Sequence, residues 1–161
     1  QEMRLYSVQN TPAKDKAEDP DRSLTEKGWD DIRQIAAFLA QHANIQLISI
    51  FHSGKKRAQQ TAEVLGSFLN PIAGIDRADG LSPLDDPMIW AQAVDGQDED
   101  IMLVGHLPHM QRLCSQLLVG NSAEKVVSFH NAGVVCLQRS PGDDWSLQWS
   151  ITPTILPQDL I

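Results

Sequence analysis

Apolar and polar positions follow two periods along this chain, and their succession lays out the fold. The stretch 3–13, MRLYSVQNTPA, opens with Leu5, Tyr6 and Val8 in a run free of Gly and Pro. That pattern predicts a buried strand of about six residues. Gln9, Asn10, Thr11 and Pro12 then turn polar and end in a breaker, so a loop begins. From Trp29 onward Ile32, Ile35, Ala36, Leu39 and Ala40 recur at helical spacing, with Thr25 as N-cap, predicting a helix to about His42. Residues 46–51, rich in Ile and Leu, read as a second strand broken by Gly54. A helix follows with Thr61, Val64, Leu65, Phe68 and Leu69 on one face, stopped by Asn70 and Pro71.

Residues 72–78 form a weaker third strand, and 79–86 a loop. Pro87 suits the first position of a short helix through Val94. Ile101, Met102, Leu103 and Val104 are apolar without interruption, as in a parallel strand covered on both faces. Pro108 opens a helix whose inner face is Met110, Leu113, Cys114, Leu117 and Leu118, and Gly120 ends it. Residues 133–138 and 145–151 read as strands of a hairpin turned at 140–144. In the last strand Trp145, Leu147, Trp149 and Ile151 alternate with polar residues, which puts all four on one buried face. The sum is an α/β fold over residues 1–161 as one domain. It is a three-layer α/β/α sandwich on a mixed six-stranded sheet, mainly parallel, with one antiparallel strand near the C-terminus.

Composition changes this picture little. The chain has 161 residues, 42% hydrophobic and 21% charged, as a globular domain does. No apolar run approaches the ~18 residues of a membrane span, and no basic-then-apolar leader is visible. Net charge is −8, a field that repels nucleic acid, so any anion site must be local. Cys114 and Cys136 both sit in apolar runs, which points to buried thiols and a reducing, cytoplasmic setting. His52, His106 and His130 lack the carboxylate or Cys spacing of a metal site, so no metal or cofactor is expected.

Two stretches carry chemistry. Lys55, Lys56 and Arg57 occupy the first turn of a helix, where each cation is disfavoured by about 0.3–1 kcal/mol and where free N–H groups attract anions. A bound phosphate would resolve that conflict. Gly105-His106-Leu107-Pro108 places His106 at the carboxyl end of a buried strand, beside another helix start. Ligands of open parallel sheets collect at that end, and Gln9 and Asn10 lie at the same end of the first strand.

Taken together, Ser53-Gly-Lys-Lys-Arg-Ala-Gln-Gln-Thr-Ala62, Gly105–Pro108, Arg22-Ser-Leu-Thr-Glu-Lys-Gly28 and the hairpin resemble the histidine phosphatase superfamily, phosphoglycerate-mutase-like in fold. Length and the Gly-His-Leu-Pro turn are similar to its SixA-like phosphohistidine phosphatase branch. The resemblance implies a first strand beside the fourth and an antiparallel fifth. It also implies a reaction in which a His ending the first strand attacks phosphorus, while Arg side chains and a second His hold the phosphoryl oxygens. Arg57 then matches a phosphate-binding Arg, His106 the second His, and Arg22 an Arg at the mouth. The family's Arg-His-Gly reads Gln9-Asn10-Thr11 here, so Asn10 takes the nucleophile's position and Gln9 that of an Arg. An amide lone pair is delocalised and forms no phospho-enzyme at a useful rate. Many members also carry a Glu after the third strand, where Gly80 stands, with Asp79 as its neighbour.

These substitutions imply a pseudophosphatase that binds a phosphorylated protein or a small phosphate-bearing ligand without turnover. One alternative is an active phosphatase that uses His52 or His130 as a relocated nucleophile, or direct attack by water. Another is an interaction module with a vestigial pocket.

Overall fold

The computed structural model describes residues 2–157. Its elements are β1 (Met3–Gln9), α1 (Glu26–His42), β2 (Ser49–His52), α2 (Lys56–Leu69), β3 (Ile75–Arg77) and α3 (Pro87–Asp95), then β4 (Ile101–Gly105), α4 (His109–Val119), β5 (Val134–Arg139) and β6 (Trp145–Ile151). A single 3-10 turn, Pro153–Ile155, follows. The sheet runs β3-β2-β4-β1-β5-β6. β1 pairs in parallel with β4, β4 with β2, and β2 with β3. β5 runs against both its neighbours, β1 and β6. This is the mixed sheet expected from the sequence, with β1 beside β4 and the fifth strand reversed.

The period-two pattern of the strands divides the core in two. Tyr6, Val8, Ile50, Met102, Val104, Val134 and Cys136 face Ile32, Ile35 and Leu39 of α1 and Ala58, Ala62 and Leu65 of α2. Met3, Leu5, Ile101, Leu103, Val135 and Leu137 face Ala91 and Val94 of α3 and Met110, Leu113 and Cys114 of α4. β4 lies between the two cores with every residue buried. Both thiols are buried and free, and burial pushes Cys114 up to about 12 and Cys136 to about 11, so neither is a nucleophile. No described helix is long and apolar enough to cross a membrane.

The helix ends follow local chemistry. Thr25 Oγ1 accepts from Gly28 N–H and caps α1, and Asp86 caps α3 ahead of Pro87. Asn70 and Gly120 close α2 and α4 in the left-handed region.

Several boundaries move. β2 starts at Ser49 rather than 46 and takes in His52, because Leu47 and Ile48 accept from the N–H groups of Ile72 and Ala73 as the chain turns toward β3. Those bonds, and Gly74 at a φ of +85°, shorten β3 to Ile75–Arg77. Pro108 is the cap of α4 rather than its first helical residue.

The larger correction concerns β6. Cys136 pairs with Trp149 but Leu137 pairs with Leu147, so Gln148 is an extra, bulged residue. The four apolar positions therefore do not share a face. Trp149 and Ile151 pack on the α1/α2 core, Trp145 packs on the α3/α4 core, and Leu147 is 47% exposed.

Candidate functional site

The parallel strands β1, β4 and β2 end side by side, and the residues just beyond them form a cleft floor. Gln9 pairs with Gly105 across β1 and β4, and Asn10 N–H donates to the Gly105 carbonyl at 3.0 Å. The other side of Gln9 is held by residues 132–133: Ala132 N–H donates to the Gln9 carbonyl at 3.2 Å. Past Asn10 the chain is stapled to two helices. Thr11 Oγ1 donates to the Gly28 carbonyl at 2.7 Å, and Thr11 N–H donates to Thr61 Oγ1 at 3.3 Å. Only glycine fits position 28, since a Cβ there would stand 2.2 Å from the Pro12 carbonyl oxygen.

Residues 13–24 form an arm that doubles back, closed by an Ala13–Leu24 bridge and docked on α2 through Leu24 N–H to Gln60 Oε1 at 2.9 Å. Asp19 ties the bend together by accepting from Ser23 Oγ. Arg22 sits in this bend at a φ of 53°, in the left-handed region, and its Nε donates to the Lys14 carbonyl at 3.0 Å.

Gln9, Asn10, Thr11, Pro12, Ala13, Arg22, Arg57, Pro83, His106, Leu107 and Asn131 line one cavity of ≈ 330 Å³. Every Arg, amide and His that the sequence assigns to a phosphoryl pocket is thus on its wall. A larger hollow of ≈ 700 Å³ lies along α1, but Glu26, Asp30 and Asp31 line it and would repel an anion.

The cavity is electropositive at close range. Burial lowers the Arg57 pKa, and the charge of Arg22, which lines the same cavity, lowers it further. Among the described residues the four ion pairs lie elsewhere, and no carboxylate pairs with Arg22 or Arg57. α2 begins beside them with Lys55 as N-cap and no side-chain cap for its first-turn N–H groups. Free N–H groups at a helix start and guanidinium groups both attract anions.

His106 is 3% exposed. Its Nδ1 is 3.0 Å from Asn10 Oδ1 and its Nε2 is 2.6 Å from Ser53 Oγ. Burial first, then the charges of Arg57 and Lys55, hold its pKa down at about 3, so the ring is neutral at physiological pH. Gln9 turns its amide nitrogen to Asn131 Oδ1 at 2.8 Å.

The alternates named from the sequence lie outside this cavity. His52 is buried at the end of β2, and its Nδ1 accepts from Gly54 N–H at 3.0 Å. Burial lowers its pKa. His130 is exposed and lines an adjoining hollow with Lys27, Asp31 and Thr152, which shares Pro12 and Asn131 with the cavity. Asp79 points into solvent and pairs with Arg77 at 3.2 Å. Neighbouring Gly80 is buried at a φ of +87°, and the loop it begins contributes Pro83, not a carboxylate, to the wall. Among the described residues no three His, Cys, Asp or Glu side chains converge on a possible metal position.

Sequence reasoning missed Ser53, Asn131 and Pro83. Ser53 stood inside the basic motif, but its partnership with His106 depends on β2 lying against β4. Asn131 and Pro83 carried no local signal.

Residues 10–82 match the family model for the histidine phosphatase superfamily (branch 1). The fold is similar to that of the protein histidine phosphatase SixA complexed with tungstate. That match has a TM-score of 0.82 and 22% identity, covering 94% of this chain and 98% of that one. It is also similar to a mycobacterial glucosyl-3-phosphoglycerate phosphatase (TM-score 0.68, 16% identity, 92% of this chain and 98% of that one). A phosphoserine phosphatase mutant from Entamoeba histolytica, in complex with phosphoserine, matches with a TM-score of 0.67 at 13% identity over 94% of this chain and 98% of that one. At these identities the likeness is one of fold. Sequence comparison with curated proteins gives no significant match.

Proposed function

We propose that this chain, whose residues 10–82 match the model of the histidine phosphatase superfamily (branch 1) and which carries an amide, Asn10, at the end of β1, binds a phosphoryl group on a protein or small molecule without turning it over. The observation that carries this reading is the pairing of unbalanced charge with a missing nucleophile. Arg22 and Arg57 line a cavity and, among the described residues, have no carboxylate partner, while the side chain at the strand end is hydrogen-bonded to His106 and cannot attack phosphorus. His52 and His130, the other imidazoles weighed as nucleophiles, do not line that cavity. A structure of the same fold holds tungstate, an oxyanion of phosphate-like shape, which is consistent with an anion here.

The test has two arms. Orthophosphate or sulfate should raise the melting temperature of the purified protein, and Arg57→Gln should abolish most of that shift. Phosphohistidine protein and small phosphoesters should show no turnover until Gln9→Arg and Asn10→His are introduced together. Turnover by the unaltered protein, or a melting curve indifferent to both anions, would overturn the proposal.

A further inference from the structure

Both ring nitrogens of His106 are engaged, and the direction of each hydrogen bond follows from the ends of the chain inward. Asn10 Nδ2 donates to the Thr11 carbonyl at 2.9 Å, which fixes the end of the amide that faces the ring. Asn10 Oδ1 can only accept, so His106 Nδ1 carries the hydrogen of their 3.0 Å bond. Nε2 is then an acceptor, and the Ser53 hydroxyl donates to it at 2.6 Å. Ser53 Oγ accepts in turn from Lys55 N–H at 3.3 Å. One directed chain of bonds therefore joins the ends of β1, β2 and β4.

A ring held in this way has no nitrogen left for a ligand. We propose that Asn10 and Ser53 are positioning residues that lock His106 with its hydrogen on Nδ1, so that an anion in the cavity is held by Arg22, Arg57 and the start of α2 rather than by this histidine. The second half rests on the phosphoryl-binding reading; the lock itself does not. The groups acting on the ring are Arg57 and Lys55 at the start of α2, His109 on α4 and Arg22 on the arm, and each opposes a second proton. Burial acts in the same direction and is the largest cause. The lock also separates this site from one in which the imidazole gains a proton as the anion enters. That event would couple anion affinity to pH.

Ring nitrogen–hydrogen correlation NMR on the ligand-free protein reads the lock directly. The Nδ1–H form of His106 should be the sole species from pH 8 to pH 5. It should become a mixture of tautomers in Asn10→Ala or Ser53→Ala. An imidazolium signal at pH 6, the Nε2–H form, or a pure Nδ1–H form in both variants would overturn the lock.

Sulfate, a dianion across this range, reads the second half. Its affinity should stay within about twofold between pH 8 and 5. A rise approaching tenfold per pH unit on acidification would mean that a proton is taken up with the anion, and would overturn it. Absence of sulfate binding at any pH would defeat the phosphoryl-binding reading and the second half with it, and the ring spectrum would still decide the lock.

Discussion

Asn10 withdraws its nitrogen lone pair into its own carbonyl, yet the same oxygen gives His106 a fixed partner. With an amide at the end of β1, both ring nitrogens of His106 have hydrogen-bond partners. The histidines bear on stability through their protons. His106, His52 and His109 are all held below the ordinary range, chiefly by burial. The unfolded chain therefore takes up protons near pH 6.5 that the folded chain refuses. Their contribution is fully present above pH 6.5 and is lost as pH falls. For His106 the window extends down to about 3. Each such group costs about 1.4 kcal/mol per pH unit within its window. Urea unfolding at pH 7.5, 6.5 and 5.5 should show falling stability, with a slope reduced by about that amount in His106→Gln. Equal slopes in the two proteins would refute the assignment.

Among the elements, the approach of α1 to the loop after β1 and the bulge in β6 each support a prediction. Gly28→Ala would push a methyl into a backbone oxygen that two groups of Thr25 also use, so it cannot yield as a side-chain end would. The expected loss is about 1–3 kcal/mol by urea unfolding, with a weaker thermal response to sulfate. Gly142→Ala, in open space in the hairpin turn, is the control and should be near neutral. In β6, deleting Gln148 should be tolerated to within about 1 kcal/mol, because both halves of the strand then pair regularly without changing face. Deleting Ser150 forces one half to the wrong face and should cost about 2–3 kcal/mol, the value of a large apolar side chain turned out to water. Comparable losses in the two deletions would refute the bulge. The alternation in 145–151 was readable and led to the wrong faces, because one inserted residue reverses every assignment beyond it. The helices were legible because caps and breakers are local: Thr25, Pro87, Asn70 and Gly120 each stand at an end. β3 was weak in the sequence since three residues carry little period.

For the molecule as a whole, acidic groups lie at both ends of the sheet, with Asp15, Glu18, Asp19 and Asp21 on the arm after β1. The acidic turn of Asp95, Asp98, Glu99 and Asp100 precedes β4, at the end of the sheet away from the cavity, while Lys55, Lys56, Arg57 and Arg22 gather near the carboxyl ends. A chain of net charge −8 can in this way offer a local anion site. Arg57, Arg22 and His106 each sit in a short motif, which is why the sequence could assign them to one place, and they line one cavity. Ser53 and Asn131 reach theirs only through strand order, which no local pattern records. That order, with β4 and β1 interior and β2 beside them, has a consequence for motion. The cavity floor hangs from the middle of the sheet, while the arm that carries Arg22 is tied down by a few loop bonds. In deuterated water the amides of Val8, Val104 and Ile50 should be among the last to exchange, whereas those of residues 14–23 should exchange orders of magnitude sooner. Anything entering the cavity would then meet an immobile base beneath a yielding rim, with selection among visitors made at the rim.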